Sequence, residues 1–333
     1  MRELRNEHSR MDLKGAKVFI TGGAGFVGSY IADLLLKEGV SEIRIVDNLL
    51  RGRKENIEDA LKSEKVIFVE GDIRDNDLID RLTEGVDIVF HQAALRITRC
   101  AEGHDECIDV MVQGTLNVLN ACLKHKVKKI ISASSASVYG LADEFPTEET
   151  HHPYNNRTLY GACKSFNELI LRSFYDMHGL NYVALRYFNV YGPRMDIHGV
   201  YTEVMIRWLD RIAAGEPPLI FGEGKQTMDF VYIEDIARAN ILAAKSDITD
   251  EVFNVASGTE TSLLQLLEIM LRVIGSDLKP EFREERKVNP VSRRLASTEK
   301  AEKLLGFKAE IGLEDGLERL IQWKEQQKDS NAA

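Results

Sequence analysis

The chain has 333 residues, 44% hydrophobic and 8% aromatic, enough for one large domain, or a large and a smaller one, around a well-filled core. Its formal net charge of −10 argues against a nucleic-acid backbone as partner, which needs basic surface, yet allows a small anionic ligand in a locally positive pocket. The opening MRELRNEHSR precedes no apolar segment, no run approaches the ~20 apolar residues that span a bilayer, and Cys100, Cys107, Cys122 and Cys163 form no CxxC pair or disulfide-like framework, so the expectation is a cytoplasmic protein with reduced thiols.

After a polar arm, strand and helix patterns alternate. Residues 16–21 (AKVFIT) read as a short apolar strand, followed by a glycine turn and a helical pattern over 29–38. Residues 42–46 (EIRIV), 66–70 (VIFVE), 88–90 (IVF), 129–133 (KIISA) and 182–186 (YVALR) continue the strands, with helical stretches such as 115–124 between them. Nearly continuous apolar strands alternating with helices predict a parallel sheet covered on both faces, an α/β fold of the Rossmann, doubly wound type. From Gly192 onward the connections lengthen (192–200, 214–218) and the strands shorten. Residues 263–274 and 298–305 read as helices, the second capped by Ser297 or Thr298. The division expected is a larger domain over 14–190, with crossovers, and a smaller α/β substrate-binding lobe mostly over 191–325. The polar end, 324–333, is expected to fray.

The turn after the first strand is Gly22-Gly-Ala-Gly25-Phe26-Val27-Gly28. The spacing Gly22-x-x-Gly25-x-x-Gly28 removes side chains where backbone must approach a pyrophosphate. It also lets the next helix pack close to the strand and present its N–H groups. Glycines also serve as plain turns, but here they stand in the strand–turn–helix context the mechanism requires. The second strand ends at Asp47, where a carboxylate can accept both hydroxyls of an adenosine ribose and repel a 2′-phosphate; this favours NAD over NADP, against the nearby Arg51, Arg53 and Lys54. Asp72 follows the third strand, placed either to meet adenine or to cap a helix.

Tyr160 and Lys164 form a YxxxK pair on one face of an amphipathic helix. A free tyrosine, with a pKa of about 10, is a poor base at neutral pH; an ammonium beside it favours the phenolate. Upstream, a serine-rich run from Ser132 to Ser137 lies at the carboxyl end of a predicted parallel strand, the edge where such sheets bind ligands.

GGAGFVG (22–28), HQAAL (91–95), SSASVYG (134–140), YGACK (160–164) and RYFNVYGPR (186–194) occur in that order. With them the chain resembles the extended short-chain dehydrogenase/reductases, specifically the nucleotide-sugar epimerase and dehydratase family, over residues 15–325. The resemblance implies Ser135, Tyr160 and Lys164 as the catalytic group. It implies Gly22, Gly25, Phe26, Val27 and Gly28 at the NAD pyrophosphate, Asp47 and Asn48 at the ribose, Asp72 and Ile73 at the adenine, and Ala93, Ala94 and Leu95 near the nicotinamide. Lys164 would also hold the nicotinamide ribose and keep Tyr160 ionised. Asn189 would meet the substrate diphosphate, Leu219 and Phe221 the nucleobase, with Ser137 and Arg294 as further substrate contacts. Helices around 108–124 and 159–178 match those that pair into a four-helix bundle in homodimers.

Dehydratases of this family carry Asp-Glu after the catalytic hydroxyl, and decarboxylases an acid at the position of Ser137; this chain has Ala136-Ser137. Both absences favour a 4-epimerase acting on a UDP-hexose, UDP-N-acetylhexosamine or UDP-hexuronate. A dehydratase, decarboxylase or reductase of the family is the alternative, and a redox-silent NAD-binding sensor or scaffold is one of a different class. Met228 stands where most relatives place an arginine on the diphosphate, and Ser292, beside Arg293 and Arg294, where a second often clamps it. No metal site is expected: His151 and His152 lack a third ligand at a zinc-like spacing. The charged stretch 281–287 reads as solvated, and Trp208 and Trp323 as packing residues.

Overall fold

Val-, Ile- and Phe-rich segments suited to a sheet buried on both faces form a seven-stranded parallel sheet in the order β10-β6-β5-β4-β1-β2-β3. The strands are β1 (Lys17–Thr21), β2 (Glu42–Asp47), β3 (Val66–Glu70), β4 (Ile88–His91), β5 (Lys129–Ser135), β6 (Tyr182–Tyr187) and β10 (Glu251–Val255). The computed structural model describes residues 12–197, 203–284 and 291–332; the arm through residue 11 and parts of the 192–200 connection and the 281–287 stretch lie outside them. The first six strands match the expected ones within a residue or two. The seventh, EVFNV, was not expected: it is short, and arrives far along the chain to pair with β6.

Helices joining the strands are α1 (Phe26–Lys37), α2 (Glu58–Leu61), α3 (Asn76–Thr83), α4 (Ile97–Glu102), α5 (His104–Ile108), α6 (Thr115–Lys124) and α7 (Leu159–His178). Alternation along β1 assigns the two faces. Val18 and Ile20 enter a core with Ile31 and Leu35 of α1 and with Ala239 and Ala243 of a later helix, α9 (Ile233–Lys245). Phe19 enters the other core, with Ile79 of α3, Val118 of α6 and Leu171 of α7. Each of the Val, Ile, Leu and Phe side chains, taken wholly from water, contributes about 1.5–3 kcal/mol. The long helix α7 is fixed at both ends: Thr158 accepts the Gly161 N–H at 3.1 Å, and Gly179 leaves the helix at φ 73°.

The remaining elements build smaller sheets at the carboxyl edge of the large one. Strands β7 (Asn189–Tyr191), β9 (Thr227–Tyr232) and β11 (Glu260–Ser262) form one, and β8 (Leu219–Phe221) with β12 (Glu281–Arg283) another. Helices α8 (Val204–Ala213), α10 (Leu263–Ile274) and α11 (Leu313–Ala332) enclose a third core around Trp208, Tyr232, Leu266 and Leu317. α10 has the bounds expected, while α11 carries helix into the segment expected to fray.

One expectation is corrected. Cys100 of α4 and Cys107 of α5 are joined as a disulfide, and only Cys122 and Cys163 are free. The two short helices fold back at Gly103 and bring the Cα atoms to 4.9 Å, a proximity that their spacing in sequence does not reveal.

Candidate active site

In the sheet order, β1 turns one way to β2 and the other way to β4. Such a reversal opens a crevice at the carboxyl ends of the strands. A cavity of about 1440 Å³ lies there, lined by both the glycine turn and the serine run.

Gly22 has φ 68°, and a Cβ on it would stand 2.8 Å from the Ala93 backbone; a Cβ on Gly28 would collide with the Gly22 carbonyl. Gly25 caps α1 with no side chain over the first N–H groups, and Phe26 and Val27 begin the helix. The positive end of α1 thus faces the cavity uncovered, as an anion or pyrophosphate requires. Asp47 ends β2 almost buried, accepting the N–H groups of Ala24 (3.1 Å) and Leu49 (2.9 Å), and burial pushes its carboxyl up. Asn48 Nδ2 donates to Asp72 Oδ2 at 2.9 Å. Hydrogen bonds from Arg74 pull Asp72 down to about 2, against partial burial. Asp75, not Asp72, caps α3, accepting the Leu78 N–H at 3.0 Å, which removes the capping role from Asp72. Ile73, Ala93, Ala94 and Leu95 complete this arm of the cavity. Behind them His91 lies between Thr21 Oγ1 (2.8 Å) and Thr115 Oγ1 (3.0 Å); burial drives it to about 3, so it is a neutral bolt between β1, β4 and α6.

β5 ends at Ser135, whose Oγ accepts the Ser137 N–H at 3.1 Å. Tyr160, from the first turn of α7, lines the same cavity as Ser135. Lys164, one turn on, stands 5.9 Å from the Tyr160 ring centre but donates to the Ala133 carbonyl at 2.5 Å. Lys164 thus has a backbone acceptor of its own while standing over the Tyr160 ring. Burial pushes the Tyr160 phenol up, opposed only by Ser135 and Arg51, while burial brings Lys164 down to about 8. The lysine reaches past the ring to the strand backbone.

Ser137, Asn189 and Phe221 line the same cavity, as do Met228 and Ser292. Leu219 and Arg294 do not line it. Leu219 has its carbonyl on the Trp208 indole N–H at 2.7 Å, and Arg294 borders a side niche beyond Ser137. The sequence reading missed Gln92, Arg96, Arg157 and Arg207 as lining residues, and underrated Trp323, which reaches the cavity too. Gln92 (within HQAAL), Arg96 (the residue after it) and Arg157 (three residues before Tyr160) stood near a recognisable motif; Arg207 did not. The third ligand absent from the spacing of His151 and His152 is present in space: Asp143 Oδ1 is 2.8 Å from His151 Nε2. Ring nitrogens of both histidines also face backbone, His151 Nδ1 at the His152 carbonyl (2.8 Å) and His152 Nδ1 at the Tyr154 N–H (3.3 Å).

A doubly wound sheet with an uncovered glycine-lined helix end and a Ser–Tyr–Lys group at the next strands defines an NAD-dependent dehydrogenase-type enzyme. The profile of the NAD dependent epimerase/dehydratase family matches residues 18–256, and the chain belongs to that family. Its cofactor is NAD. It is 37% identical over 309 residues to a candidate UDP-glucose 4-epimerase of Methanocaldococcus jannaschii, covering 92% of this chain and 97% of the relative. Among solved structures it is similar to a UDP-N-acetylglucosamine 4-epimerase of Methanobrevibacter ruminantium M1 in complex with UDP-N-acetylmuramic acid (TM-score 0.89, 34% identity, 94% and 99% covered). It is likewise similar to the UDP-glucose 4-epimerase of Thermotoga maritima with UDP-glucose (0.88, 33%, 94% and 99%). Among the described residues, no helix is long and apolar enough to cross a membrane.

Proposed function

We propose that this enzyme interconverts the C4 epimers of a UDP-linked hexose, N-acetylhexosamine or hexuronate by transient oxidation at C4. The observation that carries this reading is the convergence of Ser135, at the carboxyl end of β5, with Tyr160 and Lys164 of α7 on the cavity that the glycine turn also lines. In this reading Gly22, Gly25, Phe26 and Val27 receive the pyrophosphate, Asp47 and Asn48 the adenosine ribose, Asp72 and Ile73 the adenine, and Ala93 and Ala94 flank the nicotinamide. Bound there, NAD supplies the acceptor for hydride from C4 and its return, and its positive ring favours the Tyr160 phenolate that Ser135 and Arg51 alone do not secure.

Tyr160 takes the proton of the C4 hydroxyl, Ser135 hydrogen-bonds the same oxygen and relays that proton, and Lys164 holds the nicotinamide ribose. The 4-keto sugar turns over in the cavity and the proton returns from Tyr160, with no net redox change. Asn189 meets the diphosphate, and Phe221 the nucleobase. Ala136 and Ser137 offer no acid to expel a leaving group, which separates epimerisation from dehydration. A homodimer through the 108–124 segment and α7 completes the proposal: Ile108, Phe166, Leu169 and Met177 are 43%, 41%, 68% and 71% exposed, the last three on one face of α7. To test the chemistry, a C4-deuterated UDP-sugar is followed without added NADH. The label is expected at C4 of the epimer; its exchange with solvent, or accumulation of free NADH, excludes this cycle.

A further inference from the structure

Three of the arginines that line the cleft are matched by acids: Arg51 by Asp196 (3.3 Å), Arg96 by Glu203 (2.9 Å) and Arg194 by Asp33 (2.8 Å). Arg157, which also lines it, and Arg294, on a niche beside it, are not. Arg157 Nη1 meets the Asn156 carbonyl at 3.3 Å, and Arg294 Nη1 the Ala136 carbonyl at 2.6 Å; among the described residues neither has a carboxylate within ion-pair distance. Both border a niche of about 20 Å³ beside Ser137, whose other walls include Thr158 and Val291, and most of these walls also line the main cavity. A niche of that size admits about one water-sized oxygen. Burial brings Arg294 down to about 10 with no acid to offset it. In a chain of net charge −10, two adjacent guanidiniums without a protein acid form a receptor for one.

We propose that Arg157 and Arg294 read a carboxylate on the substrate, attached next to C4, and that the enzyme prefers acidic UDP-sugars over neutral ones. The inference rests on the epimerase reading for its placement. Ser135 and Tyr160 fix the C4 oxygen, Ser137 lies two residues beyond the first, and Arg157 three before the second. A substituent on C5 or C3 therefore falls toward these side chains. A planar guanidinium suits a carboxylate better than a hydroxymethyl group. The acid is either the C6 carboxylate of a hexuronate or one ether-linked at O3.

The test is calorimetry on the NAD-loaded protein with UDP-glucuronate against UDP-glucose, and UDP-N-acetylmuramate against UDP-N-acetylglucosamine. At least one acid is expected to bind about tenfold or more tightly than its neutral parent, the scale of a charge-assisted hydrogen bond. Which pair shows the preference tells C5 from O3 attachment. Arg157→Gln, at an exposed position where folding is safe, and Arg294→Gln should each reduce that ratio. No preference for either acid, or a ratio that survives both substitutions, overturns the proposal. Turnover is assayed separately: binding preference without epimerisation of any of the four sugars sinks the epimerase reading and leaves the carboxylate site standing.

Discussion

Glu168 and Arg186 meet fork to fork on α7 and β6, with Arg186 Nη2 2.6 Å from Oε2 and Nε 2.9 Å from Oε1, each about a tenth exposed. Ser134, next to Ser135, donates to the same Glu168 carboxylate, and Arg186 Nη1 donates to the Tyr139 hydroxyl (2.8 Å) and the Glu149 carbonyl (2.9 Å). The pair thus ties β5, β6 and α7 together where the reaction is placed. Removing one partner leaves a buried charge alone, so Arg186→Met is expected to cost about 3–5 kcal/mol in urea unfolding. Replacing both by apolar residues should cost less than the single change. A single substitution costing under ~1 kcal/mol would show that the pair is solvated and does not anchor the strand.

The proposed site gives cofactor choice to Asp47. It already accepts two backbone N–H groups, so Asp47→Asn is the cleaner probe, keeping one acceptor oxygen while removing the charge. Native protein is expected to bind NAD far more tightly than NADP. The variant should lose about tenfold or more of that selectivity, as loss of a charge-assisted contact does. Equal affinity of the native protein for the two dinucleotides, by calorimetry, would remove Asp47 from this role.

The central sheet was legible because most of its strands are buried on both faces and so appear as near-continuous apolar runs; β3, at the edge with Ile67 exposed, is an apolar run without that burial. β10 was not legible: EVFNV is no more apolar than many loop segments, and only its pairing with β6 makes it a strand. In the cavity, residues adjacent to a motif were readable, from Gly22 and Asp47 to Ser135 and Tyr160. Arg207 on α8 and Trp323 on α11 come from helices whose packing brings them to the cavity. The Lys164–Ala133 bond was hidden for a different reason. Spacing puts Lys164 on the face of Tyr160 but does not say which acceptor a long side chain will reach.

The exposed stripe on α7 predicts association. Leu169 and Met177 are too exposed to contribute to the monomer core, and charges there should be tolerated by the fold. Native protein is expected to sediment as a dimer, and Leu169→Glu with Met177→Glu as a monomer that still binds NAD. A monomeric native protein, or a double variant that remains dimeric, would move the interface elsewhere or abolish it.

Lys164 offers a test by pH. Burial lowers it from 10.5 to about 8, so between these values the unfolded chain holds a proton that the folded protein has released. Stability then rises with pH across that window, and below pH 8 the folded state carries a penalty of about 3 kcal/mol, at ~1.4 kcal/mol per tenfold. Methionine at this position does not titrate. Lys164→Met also loses the hydrogen bond to Ala133, a cost that does not depend on this proton, so the informative quantity is how its stability relative to native protein changes with pH. In NAD-free protein the variant is expected to gain most at pH 7 and to lose that advantage steadily from pH 8 to 9.5. Lys129, also brought down to about 8, is common to both proteins and cancels. The same substitution should weaken NAD binding and catalysis together, whereas Tyr160→Phe should stop turnover with NAD and UDP-sugar still bound, because only the proton acceptor is gone. A stability difference that stays flat between pH 7 and 9.5 would mean that Lys164 remains charged throughout, held by Glu168 more firmly than its burial suggests.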